Sequence, residues 1–333
     1  MPSPEPLTDR HARVKRKLRV SLTDRCNFRC PYCMPEKPAW LPKDQLLTRA
    51  ELRRLLTLFV RDGGITDLRF TGGEPLLRPD LAEVIAGCAE LREFGLQRIS
   101  LTSNGMLLAA QAATLKAAGV DDINISLDAL SEPVFRQLSG GRGSVARVQE
   151  GILAARAAGL SPKLNTVVMR GFNENEILPL AHWAHQQRLP LRYIEFMPLD
   201  GGGQWSAERV VPEAEILDTL RREFSVLALQ ETHDPARYYL LNGSYPVGII
   251  STISRPFCTR CDRLRITANG ELFTCLFSAA GHDLRATLRN GATDTELLAR
   301  IRASVWTKSA GYAQDGARGG YVERPITMHA LGG

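Results

Sequence analysis

The chain has 333 residues, 44% of them hydrophobic, which is ample for one large domain or a large one with a smaller appendage. No stretch is long and apolar enough to span a bilayer, so no membrane association is expected. The formal net charge of +6 invites a nucleic-acid partner, but the basic residues are spread along the chain and aromatics are only 7%, so neither DNA nor RNA is expected.

Residues 1–14 are polar and proline-rich, lack the apolar run of a signal peptide and read as a flexible N-terminal tail. The first candidate strand, 18–22, runs into Thr23-Asp24-Arg25-Cys26-Asn27-Phe28-Arg29-Cys30-Pro31-Tyr32-Cys33. Thiolates at this C-x3-C-x2-C spacing can hold three corners of a cubane iron–sulfur cluster and leave the fourth iron open for a chelating small molecule. Structural zinc is the alternative. It usually takes four ligands, and the nearest histidine, His11, lies in the tail.

A helix is expected at 48–60, with Thr48 and Glu51 forming a capping box. Further strands at 67–70, 98–102, 122–127, 163–169 and 191–196 alternate with helices at 80–94, 107–118, 144–158 and 174–187. Six βα units imply a parallel α/β sheet, either doubly wound or curled into a partial barrel two units short of closure, with an open side. Ligands in such sheets sit beyond the carboxyl ends of the strands. There this chain places the cysteine loop, Thr71-Gly72-Gly73-Glu74-Pro75, Thr102-Ser103-Asn104-Gly105, and the pair Ser126 and Asp128. Gly72 and Gly73 would let backbone approach a ligand closely, although a Gly-Gly turn after a strand is common.

Gly201-Gly202-Gly203 marks a change of pattern, and 201–333 reads as a smaller domain closing the open side, with a helix at 295–306. It carries a second triplet, Cys258, Cys261 and Cys275, able to hold another cluster; a zinc ribbon short of one ligand is the alternative. The terminal Gly332-Gly333 could thread a narrow site, although termini commonly fray. Clustered thiols without an export signal suit a reducing cytoplasm, and Cys88 reads as a small core residue on a helix.

One basic residue recurs within otherwise apolar strands: Arg19, Arg69, Lys163 and Arg192, joined by Arg263 and Arg265 beside the second triplet. Buried unpaired cations are expensive and would repel one another unless something strongly negative sat among them. A polyphosphate satisfies that condition, and Arg suits bidentate phosphate contacts. Outward snorkelling at strand edges is the alternative for any one of them. His182 and His185 share a helix face without ligand partners, and no phosphate-binding loop of the Walker type occurs.

With Cys26, Cys30 and Cys33, an aromatic Tyr32 before the last of them, and Gly72-Gly73-Glu74 after the next strand, the chain resembles the radical S-adenosylmethionine enzymes. Thr71-Gly72-Gly73-Glu74-Pro75, Arg192-Tyr193-Ile194-Glu195-Phe196-Met197, the second triplet and the terminal glycines are similar to the GTP 3′,8-cyclases of molybdenum cofactor biosynthesis, with motifs across 15–333. The resemblance implies a partial (βα)6 TIM-like barrel at 15–200 and a cluster-binding C-terminal domain at 201–333. It also implies two [4Fe–4S] clusters as cofactors, on Cys26, Cys30 and Cys33 and on Cys258, Cys261 and Cys275.

By the same resemblance Tyr32, Gly73, Glu74, Ser126 and Met197 contact S-adenosyl-L-methionine, while Arg19, Arg69, Thr102, Lys163, Arg192, Arg263 and Arg265 hold GTP. A 5′-deoxyadenosyl radical would start the conversion of GTP to its 3′,8-cyclo derivative, a lyase reaction, with Arg263, Arg265, Gly332 and Gly333 assisting catalysis. The implied partners are a reductant protein such as flavodoxin or ferredoxin, a downstream cyclic pyranopterin monophosphate synthase, and a second copy in a homodimer. Asp262 stands where the family usually has Asn, Ser103 replaces a commoner Thr, and His329-Ala330-Leu331 is an unusual approach to the glycines. The rival readings are another two-cluster radical enzyme acting on a peptide, and a metal-binding or nucleic-acid-binding module.

Overall fold

A computed structural model describes residues 5–201, 203–312 and 327–332. Six strands, β1 (Lys17–Ser21), β2 (Asp67–Thr71), β3 (Arg98–Ser103), β4 (Asp122–Ser126), β5 (Ser161–Val168) and β6 (Leu191–Glu195), pair in parallel in chain order. Helices connect them: α1 (Arg49–Thr57), α2 (Leu81–Ala89), α3 (Leu108–Ala117), α4 (Glu132–Leu138), α5 (Val145–Ala157) and α6 (Ile177–Gln186). This is the expected α/β partial barrel. Thr48 caps α1 in a reciprocal pair with Glu51, and Leu52, Leu55 and Leu56 form its buried face. The helical stretch then widens into a π-helical turn, Leu58–Asp62, which buries Leu58, Phe59 and Val60.

Strands covered on both faces usually read as unbroken apolar runs. Here they alternate: Leu18, Val20, Leu68, Phe70, Ile123 and Ile125 join the main core, while Arg19, Arg69, Asn124 and Ser126 take the other parity. The lumen face is therefore polar while the helix-facing side supplies the hydrophobic stabilisation.

The segment after residue 200 adds α7 (Glu213–Leu220), β7 (Val226–Ala228), β8 (Arg237–Leu241), β9 (Tyr245–Ile250), β10 (Arg263–Ile266), β11 (Glu271–Phe273) and β12 (His282–Asp283), then α8 (Leu284–Arg289) and α9 (Asp294–Trp306). Instead of forming a separate body, its strands extend the same sheet from both edges. β9 pairs in parallel with β6, β10 pairs in parallel with β1, and β8–β7 and β11–β12 continue antiparallel beyond them.

The flexible tail expected at 1–14 is corrected for its described part, residues 5–14. Leu7 is 1% exposed, and its backbone bonds to Gly63 and Lys15. Asp9 is buried, and it accepts from the His11 and Arg13 amides and from the Arg13 and Lys15 side chains. At the other end a short helix, Met328–Leu331, docks Leu331 against Leu199, Phe273 and Phe277, so residues 327–332 do not fray.

Candidate functional site

The Cys26–Cys33 loop leaves the carboxyl end of β1 and is fastened on two sides. Arg29 donates from Nη1 to the carbonyls of Cys26 at 2.8 Å and Phe28 at 2.6 Å. Behind the loop, the Gly73 and Glu74 amides donate to the carbonyls of Thr23 at 2.7 Å and Arg25 at 2.8 Å. A Cβ on Gly73 would stand 2.6 Å from the Asp24 carbonyl oxygen and closer still to that of Arg25; one on Gly72 would stand 2.5 Å from the Thr23 oxygen. The glycine pair thus lets the β2 turn press on the stem of the cysteine loop.

The Glu74 carboxylate is committed to the loops. Oε1 accepts from the Leu76 amide and from Ser103 Oγ at 2.8 Å, and Oε2 accepts from the Asn104 amide at 2.8 Å. Burial pushes its carboxyl up to about 7 against these bonds. Tyr32 donates its hydroxyl to Asp128 Oδ2 at 2.5 Å, and burial likewise raises Asp128 to about 6. Sequence reasoning placed Asp128 at a strand end without giving it a role.

One cavity is bordered by all six cysteines of the two triplets, with Arg19, Tyr32, Gly73, Glu74, Thr102, Ser126, Met197, Arg263 and Arg265 in its wall. Burial pushes Cys26 up to about 11 and raises Cys30 and Cys33 as well. At Cys261 burial acts upward too, but Arg263, Lys308 and Lys15 outweigh it and bring the thiol to about 6. Among the described residues no three His, Cys, Asp or Glu side chains converge on a single-ion site. The thiols are instead spread around a cavity wall, an arrangement suited to clusters larger than one ion.

Register explains the cationic wall: β10, β1 and β2 place Arg265, Arg19 and Arg69 side by side. Burial and then its neighbours Arg265, Arg69, Arg263 and Arg192 hold Arg19 well below the usual guanidinium range, and Arg265 is pushed down to about 9 by burial and Arg263. The carbonyl of Gly332 accepts from Arg19 at 3.2 Å and from Arg265 at 3.0 Å. Gly333 lies outside the described residues.

Arg69, Lys163 and Arg192 do not border the cavity; they sit in an adjoining polar layer. Arg69 donates to Ser100 Oγ at 3.2 Å, Lys163 stands 3.7 Å from Asp122, and Arg192 donates to Asn165 and Asn124. Asp122 answers part of the positive charge that the sequence left unpaired. Thr102 Oγ1 is buried at the cavity without a hydrogen-bond partner, an orphan suited to a polar ligand. The charge of Asp262 is turned away from the cavity and meets Lys17 at 3.0 Å. Cavity residues that sequence reasoning left without a role include Asn104, Thr274 and Lys308; the first two lie beside recognised motifs, whereas Lys308 has no sequence signal.

Residues 20–184 match the Radical SAM superfamily, and 189–314 match Molybdenum Cofactor Synthesis C. The chain is 45% identical to the GTP 3',8-cyclase of Streptomyces coelicolor, over 98% of this chain and 96% of that one. It is 44% identical to the GTP 3',8-cyclase of Corynebacterium glutamicum (98% and 89% covered) and 42% identical to that of Mycobacterium marinum (100% and 93%). Among solved structures, Streptococcus suis SuiB bound to S-adenosylmethionine is similar in fold, with TM-score 0.56 and 13% identity over 80% of this chain; the match spans 60% of SuiB's own length. SuiB bound to its precursor peptide SuiA gives TM-score 0.58 at 14% identity, over 80% and 61% of the two chains.

Proposed function

The chain belongs to the GTP 3′,8-cyclases, radical S-adenosylmethionine enzymes that use iron–sulfur clusters, and from that premise we propose how its residues divide the work on GTP. The observation that carries the assignment is a single cavity bordered by both cysteine triplets with Arg19, Arg263 and Arg265 in its wall. Six cysteines spread round that wall and the orphan Thr102 hydroxyl fit two clusters and a polar substrate. Together with S-adenosylmethionine, the cluster on Cys26, Cys30 and Cys33 supplies the hydrogen-atom abstraction that lets ribose carbon 3′ join guanine carbon 8.

The protein's part is to bind, orient and keep dry. Tyr32, held by Asp128, joins Gly73, Ser126 and Met197 as the wall for S-adenosylmethionine, and Glu74 acts by locking the glycine turn to the β3 loop. Cys258, Cys261 and Cys275 hold the second cluster, on the guanine side. Arg19, Arg263 and Arg265 grip the triphosphate with Thr102, and Arg69, Lys163 and Arg192 add to the field from the adjoining layer. Three guanidiniums pressed together in a buried wall are costly, and a bound triphosphate offsets that cost. The Gly332 carbonyl on Arg19 and Arg265 supports a role for the Gly332-Gly333 tail at this grip.

The chain divides functionally near residue 200, with one cysteine triplet on each side. Its one-electron demand calls for a low-potential reductant protein such as flavodoxin or ferredoxin, and its product feeds a cyclic pyranopterin monophosphate synthase. Among the described residues no helix is long and apolar enough to cross a membrane; cytoplasmic residence and a homodimer complete the proposal.

Anaerobic incubation of the cluster-loaded protein with reductant and S-adenosylmethionine, with and without GTP, tests this reading. The expected result is 5′-deoxyadenosine release stimulated by GTP together with a cyclised nucleoside triphosphate, and loss of the GTP effect in Arg265→Ala. Release indifferent to GTP, with no cyclised product, would overturn it.

A further inference from the structure

The N-terminal segment reaches the back of the second cysteine triplet. Arg13 Nη1 donates to the Cys258 carbonyl at 2.7 Å, and the same guanidinium holds the carbonyls of Ala310 at 2.8 Å and Ser309 at 2.6 Å. Lys15, which is 0% exposed, donates from Nζ to the Cys261 carbonyl at 2.7 Å. Lys308, 2% exposed and bordering the cavity, donates to the carbonyl of Thr274, the residue before Cys275. Each cysteine of the triplet therefore has a buried or nearly buried cation on its own carbonyl or on that of its neighbour. The 308–311 turn also closes directly over Cys258: a Cβ on Gly311 would stand 2.6 Å from the Cys258 sulfur.

The charges do not cancel. Asp9 answers Arg13 at 2.7 Å and Lys15 at 2.8 Å, one carboxylate for two cations. Among the described ion pairs none includes Lys308. Apart from the cysteine triplet itself, nothing described answers the two positive charges left over in this dry wall, where a cation without a counter-charge is disfavoured. The Cys261 and Thr274 carbonyls alone do not explain why an ammonium was placed there, since a neutral donor would satisfy a carbonyl equally well.

We propose that Arg13, Lys15 and Lys308, with Asp9 moderating them, form a buried cationic clamp that positions the second cysteine triplet and sets the reduction potential of the cluster it holds. This rests on the reading that Cys258, Cys261 and Cys275 carry a cluster. A cluster with three thiolate ligands becomes more negative by one charge on reduction, so nearby fixed cations favour the reduced state, the more so in a low-dielectric wall. The three cations are positioning residues: they touch the peptide frame of the ligands and act through it and through their field.

The test is a redox titration of the anaerobically reconstituted full-length enzyme, followed by electron paramagnetic resonance. The second cluster's signal is the one kept when Cys26, Cys30 and Cys33 are replaced by Ala. Lys308→Met is expected to lower its midpoint, changing the oxidised-to-reduced ratio at fixed potential about tenfold, the equivalent of about 59 mV for a one-electron couple. Lys308→Arg is expected to restore the midpoint, and Asp9→Asn to move it the opposite way. Opposite signs from neighbouring sites are a signature that a purely structural role does not give.

Unchanged midpoints in Lys308→Met and Asp9→Asn at full iron content would overturn the clamp. So would equal loss of second-cluster iron from Lys308→Met and Lys308→Arg. Absence of any second-cluster signal in the wild-type enzyme would instead remove the underlying assignment of the triplet, and the clamp with it.

Discussion

Glu74 is a carboxyl group whose environment favours its proton. Burial lifts it from the usual 4.5 to about 7, because three loop donors only partly compensate for lost solvation. The folded state therefore binds a proton that the unfolded chain releases earlier, so this group's contribution to stability is fully present below pH 4.5 and is lost as pH rises towards 7. Thermal unfolding measured from pH 5 to 8 should show a decline that Glu74→Gln lacks; parallel profiles would refute it. Gly73→Ala should be harsher, since its methyl would collide with the Asp24 and Arg25 carbonyls. Iron content should fall to the share of the second cluster, with S-adenosylmethionine cleavage lost. The cysteines were legible because ligand spacing is local. Glu74 was not, because nothing in Gly72-Gly73-Glu74 says whether the carboxylate faces a ligand or the Ser103-Asn104 turn. Lys15 and Asp9 were hidden for the same reason: each becomes a core residue only through the other and through Cys261.

Among the elements, those with a strong local signal were found where they lie. The Thr48 and Glu51 capping box opens α1 as read from sequence, and the six barrel strands fall within two residues of their expected limits. The capping box that opens α9, formed by Thr293 and Glu296, has the same chemistry. Thr293→Ala should cost about 1 kcal/mol of local stability, read as faster amide exchange in the first turn of α9 with turnover unchanged; unaltered exchange would contradict it. α4, α7 and α8 went unpredicted because six to eight residues give too few turns for a 3.6-residue period to show. The three-residue strands β7 and β11 likewise hold barely one alternation.

On the scale of the whole molecule, the partial barrel was legible from six alternating units, while the attachment of the C-terminal strands to both of its edges was not. Parallel pairing between β10 and β1 leaves no trace in either segment, because the register is chosen by the assembled core. The same pairing builds the proposed nucleotide grip, since it sets Arg265 beside Arg19. Arg265→Ala should cost about 1.5–3 kcal/mol of GTP binding, the range for a hydrogen bond to a charged group, with cleavage of S-adenosylmethionine in the absence of GTP retained. Equilibrium dialysis with labelled GTP measures it, and unaltered affinity would sink the assignment. Removing both clusters with a chelator should lower the melting temperature, because ligands that bind only the folded chain stabilise it by mass action.

That closure also has a consequence in time. β1 is made early, but the strand that covers its outer edge is made about 250 residues later. At roughly 5–20 residues per second on the ribosome, the nascent barrel waits on the order of ten seconds or more with an open parallel edge. An uncovered strand edge is a template for pairing with another chain. The interval before residue 266 emerges is thus the period in which a newborn chain depends most on being shielded from its neighbours.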